Sequence, residues 1–232
     1  MFEGSSAMRT ILSTTVCAAP FILAAVTAAA GEGNKVYLLQ EGTALPGNNL
    51  WIDQSSATSS LVAGISGDDL SETLNGVRTG TPVDARQVGG GNTADITLSG
   101  RRPTVLLDQK FTGTLGNPIN SATLSGGTLS SIVLQQEGYG NLGEITVTGV
   151  ASTGILQQLG NGNTGSVTIE GRNTTGTLIQ SGNNNSVPLT VNGNGANVTY
   201  TLEASGVVVA SPPEVYSNGG TVTITQTQWG SN

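Results

Sequence analysis

"QQLGNGNTGSVTIEG", residues 157–171, holds a single charged side chain, yet its glycines and asparagines are placed too regularly for a linker. The stretch "QQEGYGNLGEITVTG" at 135–149 has the same pattern 22 residues earlier. With the glutamine as position zero, Gln87, Gln136, Gln158 and Gln180 each have glycine at +2 (Gly89, Gly138, Gly160, Gly182) and asparagine at +5 (Asn92, Asn141, Asn163, Asn185). An apolar–Thr–apolar triplet fills +9 to +11, as Ile96-Thr97-Leu98, Ile145-Thr146-Val147, Val167-Thr168-Ile169 and Leu189-Thr190-Val191. Glycine closes each unit at +13 (Gly100, Gly149, Gly171, Gly193). Self-similarity at a fixed period of this length marks a repeat architecture.

The same frame extends with decay to Gln40, Ile65, Gln109, Leu202 and Gln226, so nine zero positions spaced by 22 to 27 residues fill residues 31–232. No room is left for a second domain. The longer intervals hold "NPIN" after Gln109 and "ASPPEVYSNGG" after Leu202, where Pro118, Pro212 and Pro213 suit loops and cannot sit in mid-sheet. Ahead of the repeats, "TILSTTVCAAPFILAAVTAAAG" follows Met8 and Arg9, an apolar run ending in the small residues Ala28, Ala29 and Ala30. Residues 1–30 are therefore expected to be an export signal cleaved after Ala30. Pro20 interrupts the run and no basic stop-transfer cluster follows, which argues against a membrane anchor. The one cysteine, Cys17, lies inside the signal, and the chain has no histidine. The processed chain then lacks thiol nucleophiles, Ser-His-Asp triads and zinc fingers, and no cofactor or metal is expected.

Each unit reads as two strands by alternation. Positions −4 and −2 are apolar or small in every unit: Val36 and Leu38, Leu61 and Ala63, Val83 and Ala85, Val105 and Leu107, Ile132 and Leu134, Gly154 and Leu156, Gly176 and Leu178, Val198 and Tyr200, Val222 and Ile224. Period two puts them on one face with the zero-position glutamine. In the second strand +9 and +11 face in and the threonine at +10 faces out, while the Gly/Asn pair between the strands supplies residues that tolerate positive φ. The few apolar side chains of one unit cannot offset the entropy of ordering 22 residues, so a unit is stable only against its neighbours. The predicted fold is all-β, a β-solenoid of about eight to nine coils with two facing parallel sheets.

An inward amide without a partner costs about 1–3 kcal/mol. Identical amides in register on successive coils satisfy one another as ladders. Gln40, Gln87, Gln109, Gln136, Gln158, Gln180 and Gln226 are predicted to form one such ladder, with Asn92, Asn141, Asn163 and Asn185 as candidates for another and Gly89, Gly138, Gly160 and Gly182 at the turns. Composition excludes a nucleic-acid partner. Eight Lys and Arg against 15 Asp and Glu give a net charge of −7, with no basic patch for phosphates.

The pattern Gln-x-Gly-x-x-Asn, as "QVGGGN" at 87, "QEGYGN" at 136, "QLGNGN" at 158 and "QSGNNN" at 180, resembles the curlin repeat of bacterial curli amyloid subunits. The likeness covers roughly residues 83–193. Ser130 and Ser152 match the serine six residues before the glutamine, and Ala94 matches the alanine at +7. The second glutamine of that repeat, at +11, is replaced by Leu98, Val147, Ile169 and Val191, and only residues 31–35 stand between the signal and the first strand, where the family has a longer secretion tag. The resemblance implies an exported subunit that polymerises outside the cell into fibres of the biofilm matrix. It also implies a related nucleator subunit and an outer-membrane secretion pore as partners.

Two rivals use the same coils differently. Asp53, Asp84, Asp95, Asp108, Glu137, Glu144 and Glu170 would be needed for lyase or hydrolase chemistry, but no two share an offset on neighbouring units. "GGGNTADI" at 89 does not recur as a calcium-binding nonapeptide does. The outward threonines Thr97, Thr146, Thr168 and Thr190 could instead serve a monomeric adhesin or an ice- or polymer-binding protein. Neither end of the repeat region shows an amphipathic capping helix, so Val36–Gln40 and Thr221–Gln228 are candidate docking edges for a homopolymer built by end-to-end stacking. Asp68, Asp69 and Glu72 are candidate gatekeeper charges.

Overall fold

The computed structural model describes residues 33–42, 47–65, 82–114, 116–192, 194–209, 213–215 and 219–227. The signal at 1–30 with Cys17, the acidic trio Asp68, Asp69 and Glu72, and Gly193, Pro212 and Gln228 lie outside these residues.

The described chain is all-β and winds as a parallel β-solenoid of about seven turns. The first turn contains β1 (Lys35–Val36), β2 (Leu38–Glu41) and β3 (Asn49–Thr58), and the second β4 (Leu61–Ala63), β5 (Ala85–Val88) and β6 (Asn92–Arg101). The third contains β7 (Thr104–Leu106), β8 (Asp108–Phe111) and β9 (Asn120–Leu124), and the fourth β10 (Ser131–Ile132), β11 (Gln135–Gly138) and β12 (Leu142–Glu144). Later turns have two strands each: β13 (Gln157–Leu159) with β14 (Thr164–Ile169), β15 (Thr175–Ser181) with β16 (Ser186–Val191), and β17 (Asn197–Glu203) with β18 (Glu214–Val215). A final strand, β19 (Thr221–Thr227), lies on β17. Here sheet A denotes β1-β4-β7-β10, sheet B the eight strands β19-β17-β15-β13-β11-β8-β5-β2, and sheet C the seven strands β18-β16-β14-β12-β9-β6-β3.

One predicted coil does not exist. Gln40 pairs directly with Gln87, and Leu38 with Ala85, so Ile65 fills no zero position between them. Residues 61–63 instead supply the sheet A strand of the second turn, with Val62 between Val36 and Val105. The two ends of the chain between Gly64 and Asp84 meet at a neck, where Gly64 N donates to Val83 O at 2.8 Å. A Cβ on Gly64 would overlap the carbonyl of Asp84, so this neck closes only on glycine. Val83, read as an inward −4 residue, is consequently exposed, and Val62 takes its place in the core.

Sheet A was not anticipated. Strict alternation points the −3 residues Tyr37, Leu106, Val133 and Ile155 outward, but the early turns bend between sheets A and B. Ala63, Leu106, Val133 and Ile155 form a second small buried cluster outside that corner, with Tyr37, Leu61 and Ile65 packed against it. From β15 onward one straight strand spans both segments.

The main core follows the predicted alternation elsewhere. Ala85 and Leu178 of sheet B, with Leu107, Leu134 and Leu156 just ahead of its strands, meet Ile52, Ile96, Leu124, Val167 and Leu189 of sheet C and Ile145 at the end of β12. Each Val, Leu or Ile side chain among them contributes about 1.5–3 kcal/mol when fully buried. Where −4 is glycine, the opposite sheet fills the space: Ile169 Cδ1 lies 2.9 Å from the place a Cβ of Gly176 would take.

Candidate functional site: amide ladders along the solenoid axis

Parallel in-register stacking, with neighbouring strands about 4.8 Å apart, brings the zero-position glutamines within hydrogen-bond reach of one another. Gln40 Nε2 donates to Gln87 Oε1 at 2.6 Å, and the series continues from Gln87 to Gln109 and from Gln109 to Gln136, both at 2.8 Å. It runs on from Gln136 to Gln158 and from Gln158 to Gln180, both at 2.9 Å. Gln87, Gln109, Gln136, Gln158 and Gln180 are 0% exposed.

The second hydrogen of each amide crosses the interior to sheet C. Gln109 donates to Thr93 O at 3.0 Å, Gln136 to Ser121 O at 3.0 Å, Gln158 to Leu142 O at 3.0 Å and Gln180 to Thr164 O at 2.9 Å. Only an NH2 can donate to those carbonyls, so each Oε1 must face the preceding coil. The ladder therefore has a direction, with donors pointing towards later coils throughout. It also ties sheet B to sheet C within each coil.

Asparagines form a second ladder at the turn between sheets B and C. Asn163 N and Nδ2 both donate to Asn141 Oδ1, at 3.1 and 3.2 Å, and Asn163 Nδ2 also reaches Gly182 O at 2.8 Å. Asn185 N donates to Asn163 Oδ1 at 3.1 Å, and Asn185 Nδ2 to Ala204 O at 2.6 Å. Two members were missed by the sequence spacing. Asn48 accepts from Asn92 N at 3.0 Å and Nδ2 at 3.1 Å. Asn120 donates to Asn92 Oδ1 at 3.1 Å and accepts from Asn141 N at 3.1 Å. Loop insertions displace both from +5, and only the "N" closing "NPIN" hinted at Asn120.

The turn glycines are dictated by this stacking. Gly138, Gly160 and Gly182 have φ of 126°, 116° and 119°, and a Cβ on any of them would overlap a backbone carbonyl of the following coil. Gly89, at φ 81°, meets Phe111 O in the same way. Ser152 Oγ donates to Gly171 O at 2.9 Å and Ser130 Oγ to Gly127 O at 3.0 Å, so the serines close the opposite corner.

Both ladders stop before the last coils. Leu202 stacks on Gln180, and Val207 N donates to Asn185 Oδ1 at 3.1 Å with no amide to continue the row. Gln226 is joined by another route, since Tyr200 Oη donates to its Oε1 at 2.6 Å. Burial raises the Tyr200 pKa, which keeps that donor protonated. The half-buried Gln40 stands on edge strand β2, where its Oε1 has no partner among the described residues. The outward threonines at +10 lie in one column with other residues: Thr97 beside Asp53, Thr168 beside Thr190, and Thr190 beside Glu214. No family model, no curated protein and no solved structure matches this chain.

Proposed function

We propose that the chain is an exported structural subunit that self-assembles through the ends of its solenoid into curli-like amyloid fibres of an extracellular or biofilm matrix. The observation that carries this reading is the directional glutamine ladder, which begins on edge strand β2 and runs to Gln180, in a sheet B whose outer strands each pair on one side only among the described residues. Strand β2 ends one side of that sheet and β19 the other. The half-buried Leu38 lies at the first edge of the core, and Val222 and Ile224 at the other. Edge strands of this kind recruit further strands. A second copy placed with β2 on β19 continues the parallel register, setting Val36 on Val222, Leu38 on Ile224 and the open Oε1 of Gln40 under the amide of Gln226. Two β2 ends would oppose acceptor to acceptor, and two β19 ends donor to donor. The contact is therefore heterologous, and because each copy continues the stack along the solenoid axis it stays open-ended, which yields a filament rather than a dimer.

Replacing Gln136, Gln158 and Gln180 together with alanine tests the reading. The expected result is a much longer lag, or no rise, in thioflavin fluorescence, with few fibres in negative-stain microscopy. The companion set Thr146→Ser, Thr168→Ser and Thr190→Ser should polymerise normally. Normal polymerisation of the glutamine variant would remove the amide ladder from the assembly.

A second reading, a monomeric adhesin or ice- or polymer-binding solenoid, draws on one observation. Thr177, Thr199 and Thr223 are in register on the outer face of sheet B, with Thr201 beside Thr225. Thermal hysteresis of the freshly purified monomer would favour it.

A further inference from the structure

A groove of about 360 Å³ runs along the outer side of the asparagine turns over four successive coils, walled by Pro118, Tyr139, Asn161, Asn183 and Asn184. Its floor is the bare backbone of Gly140 and Gly162. That floor is fixed coil to coil, because Gly162 N donates to Tyr139 O at 2.9 Å and Asn184 N to Asn161 O at 2.8 Å.

The asparagine walls are oriented by their oxygens. Asn161 Oδ1 accepts from Tyr139 N at 3.2 Å, and Asn183 Oδ1 accepts from Asn161 N at 2.9 Å. A backbone N–H can bond only to the oxygen of each amide, so both Nδ2 groups are left without a partner among the described residues. Two adjacent coils of the groove, those of Asn161 and Asn183, thus each present one free amide donor, about 4.8 Å apart along the axis. Tyr139 lies at one end of the row and adds a side chain that is apolar in its body and polar at its tip.

No charged side chain lines the groove. The chain carries a net charge of −7, which disfavours any anionic polymer. A peptide strand would need unpaired backbone to dock on, and the floor's backbone is already bonded between coils. What remains is an uncharged chain that offers hydrogen-bond acceptors at short regular intervals and a ring to lie against an aromatic side chain. We propose that this groove binds an extended neutral polysaccharide, whose hydroxyl oxygens accept from Asn161 Nδ2 and Asn183 Nδ2 while a sugar ring lies against Tyr139. The site is complete in a single chain and does not depend on fibre formation.

The experiment is affinity electrophoresis of the freshly purified chain through native gels. One gel contains hydroxyethyl cellulose, a neutral glucan, and the other carboxymethyl cellulose, which has the same backbone with added carboxylates. The chain should be retarded in the first gel, with little effect of salt, and far less in the second. Combining Tyr139→Ala with Asn161→Asp and Asn183→Asp should weaken the retardation at least ten-fold. Aspartate keeps the Oδ1 acceptor that each turn requires, replaces the NH2 donor by oxygen and adds one negative charge, so retardation of every variant is scored against its own mobility in a polymer-free gel. Tyr139→Ala alone should lose part of the retardation, while Tyr139→Phe retains most of it. Unaltered mobility in hydroxyethyl cellulose, or equal retardation of the triple variant and the parent, would overturn the proposal. Stronger retardation in the carboxylated gel would also overturn it.

Discussion

The turn glycines and the ladder amides constrain the chain in different ways. At Gly160 a methyl group meets both a positive φ and the carbonyl of Gly182, so Gly160→Ala should cost more than the about 1–3 kcal/mol that strained backbone alone carries. Gly47 has open space within 4 Å of the point a Cβ would occupy and no positive φ, so Gly47→Ala should be neutral or stabilise by up to about 1 kcal/mol. Urea midpoints of the two variants check this contrast. Asn163→Ala leaves Asn185 N and Gly182 O without their partners, a loss on the order of 1–3 kcal/mol for each group that stays dry. Asn120→Ala should cost a similar amount, although Asn120 stands outside the +5 spacing. A cost under about 0.5 kcal/mol there would mean that water replaces the amide.

Among the strands, β8 carries a titrating group whose effect on stability has a definite sign. Asp108 is half-buried, and burial raises its pKa above the ordinary 3.8, partly offset by the neighbouring Arg86 guanidinium. Glu137 pushes it further up and Lys110 draws it back down. Between the two pKa values the native chain holds a proton that the unfolded chain has released, so stability falls as pH rises through that window and is flat above it. Asp108→Asn should therefore gain on the parent at pH 7, with the gap narrowing towards pH 4. Denaturation midpoints at both pH values test this, and a constant gap would mean that Arg86 holds the carboxylate charged.

The strands also show where the sequence was legible. From Gln136 to Gln180 a strict 22-residue spacing exposes the ladders, turns and inward triplets directly, because one residue type recurs wherever a coil meets its neighbour. In the second turn "LVAGI" imitates a repeat start, since an apolar strand of sheet A obeys the same alternation as one of sheet B. Period two records which residues are buried, but it does not record which neighbour they stack on. The corner that buries Leu106 and Val133 escaped for a related reason: the inward positions on either side keep their place, while the bend also buries the position between them that alternation points outward. The loops that hide Asn48 and Asn120 change the spacing while leaving their place in space unchanged.

For the whole molecule the fibre reading makes a geometric prediction. In the proposed junction Thr225 of one copy lies opposite Leu39 of the next, at the strand spacing of about 4.8 Å, within the range a disulfide spans. Fibres grown from a mixture of Leu39→Cys and Thr225→Cys chains should cross-link on oxidation, and fibres of either variant alone should not. Fibres that form without this cross-link would reject the register while leaving polymerisation intact. A second expectation concerns export: the extracellular protein should lack residues 1–30 by intact mass. Retention of that segment would replace secretion by anchoring.

The neck at Gly64 has a mechanical consequence. A solenoid pulled apart from its C-terminal side is loaded one strand at a time, so it should peel in steps, each releasing one coil of contour. An interval of 22 residues, as between Gln158 and Gln180, extends by about 70–80 Å. The interval from Gln40 to Gln87 is 47 residues long, because it includes β3, β4 and the chain between Gly64 and Asp84, and should yield a single late step of about twice that length. Under tension the extra length closed off at the neck would act as slack held in reserve, released only after the coils beyond it have given way.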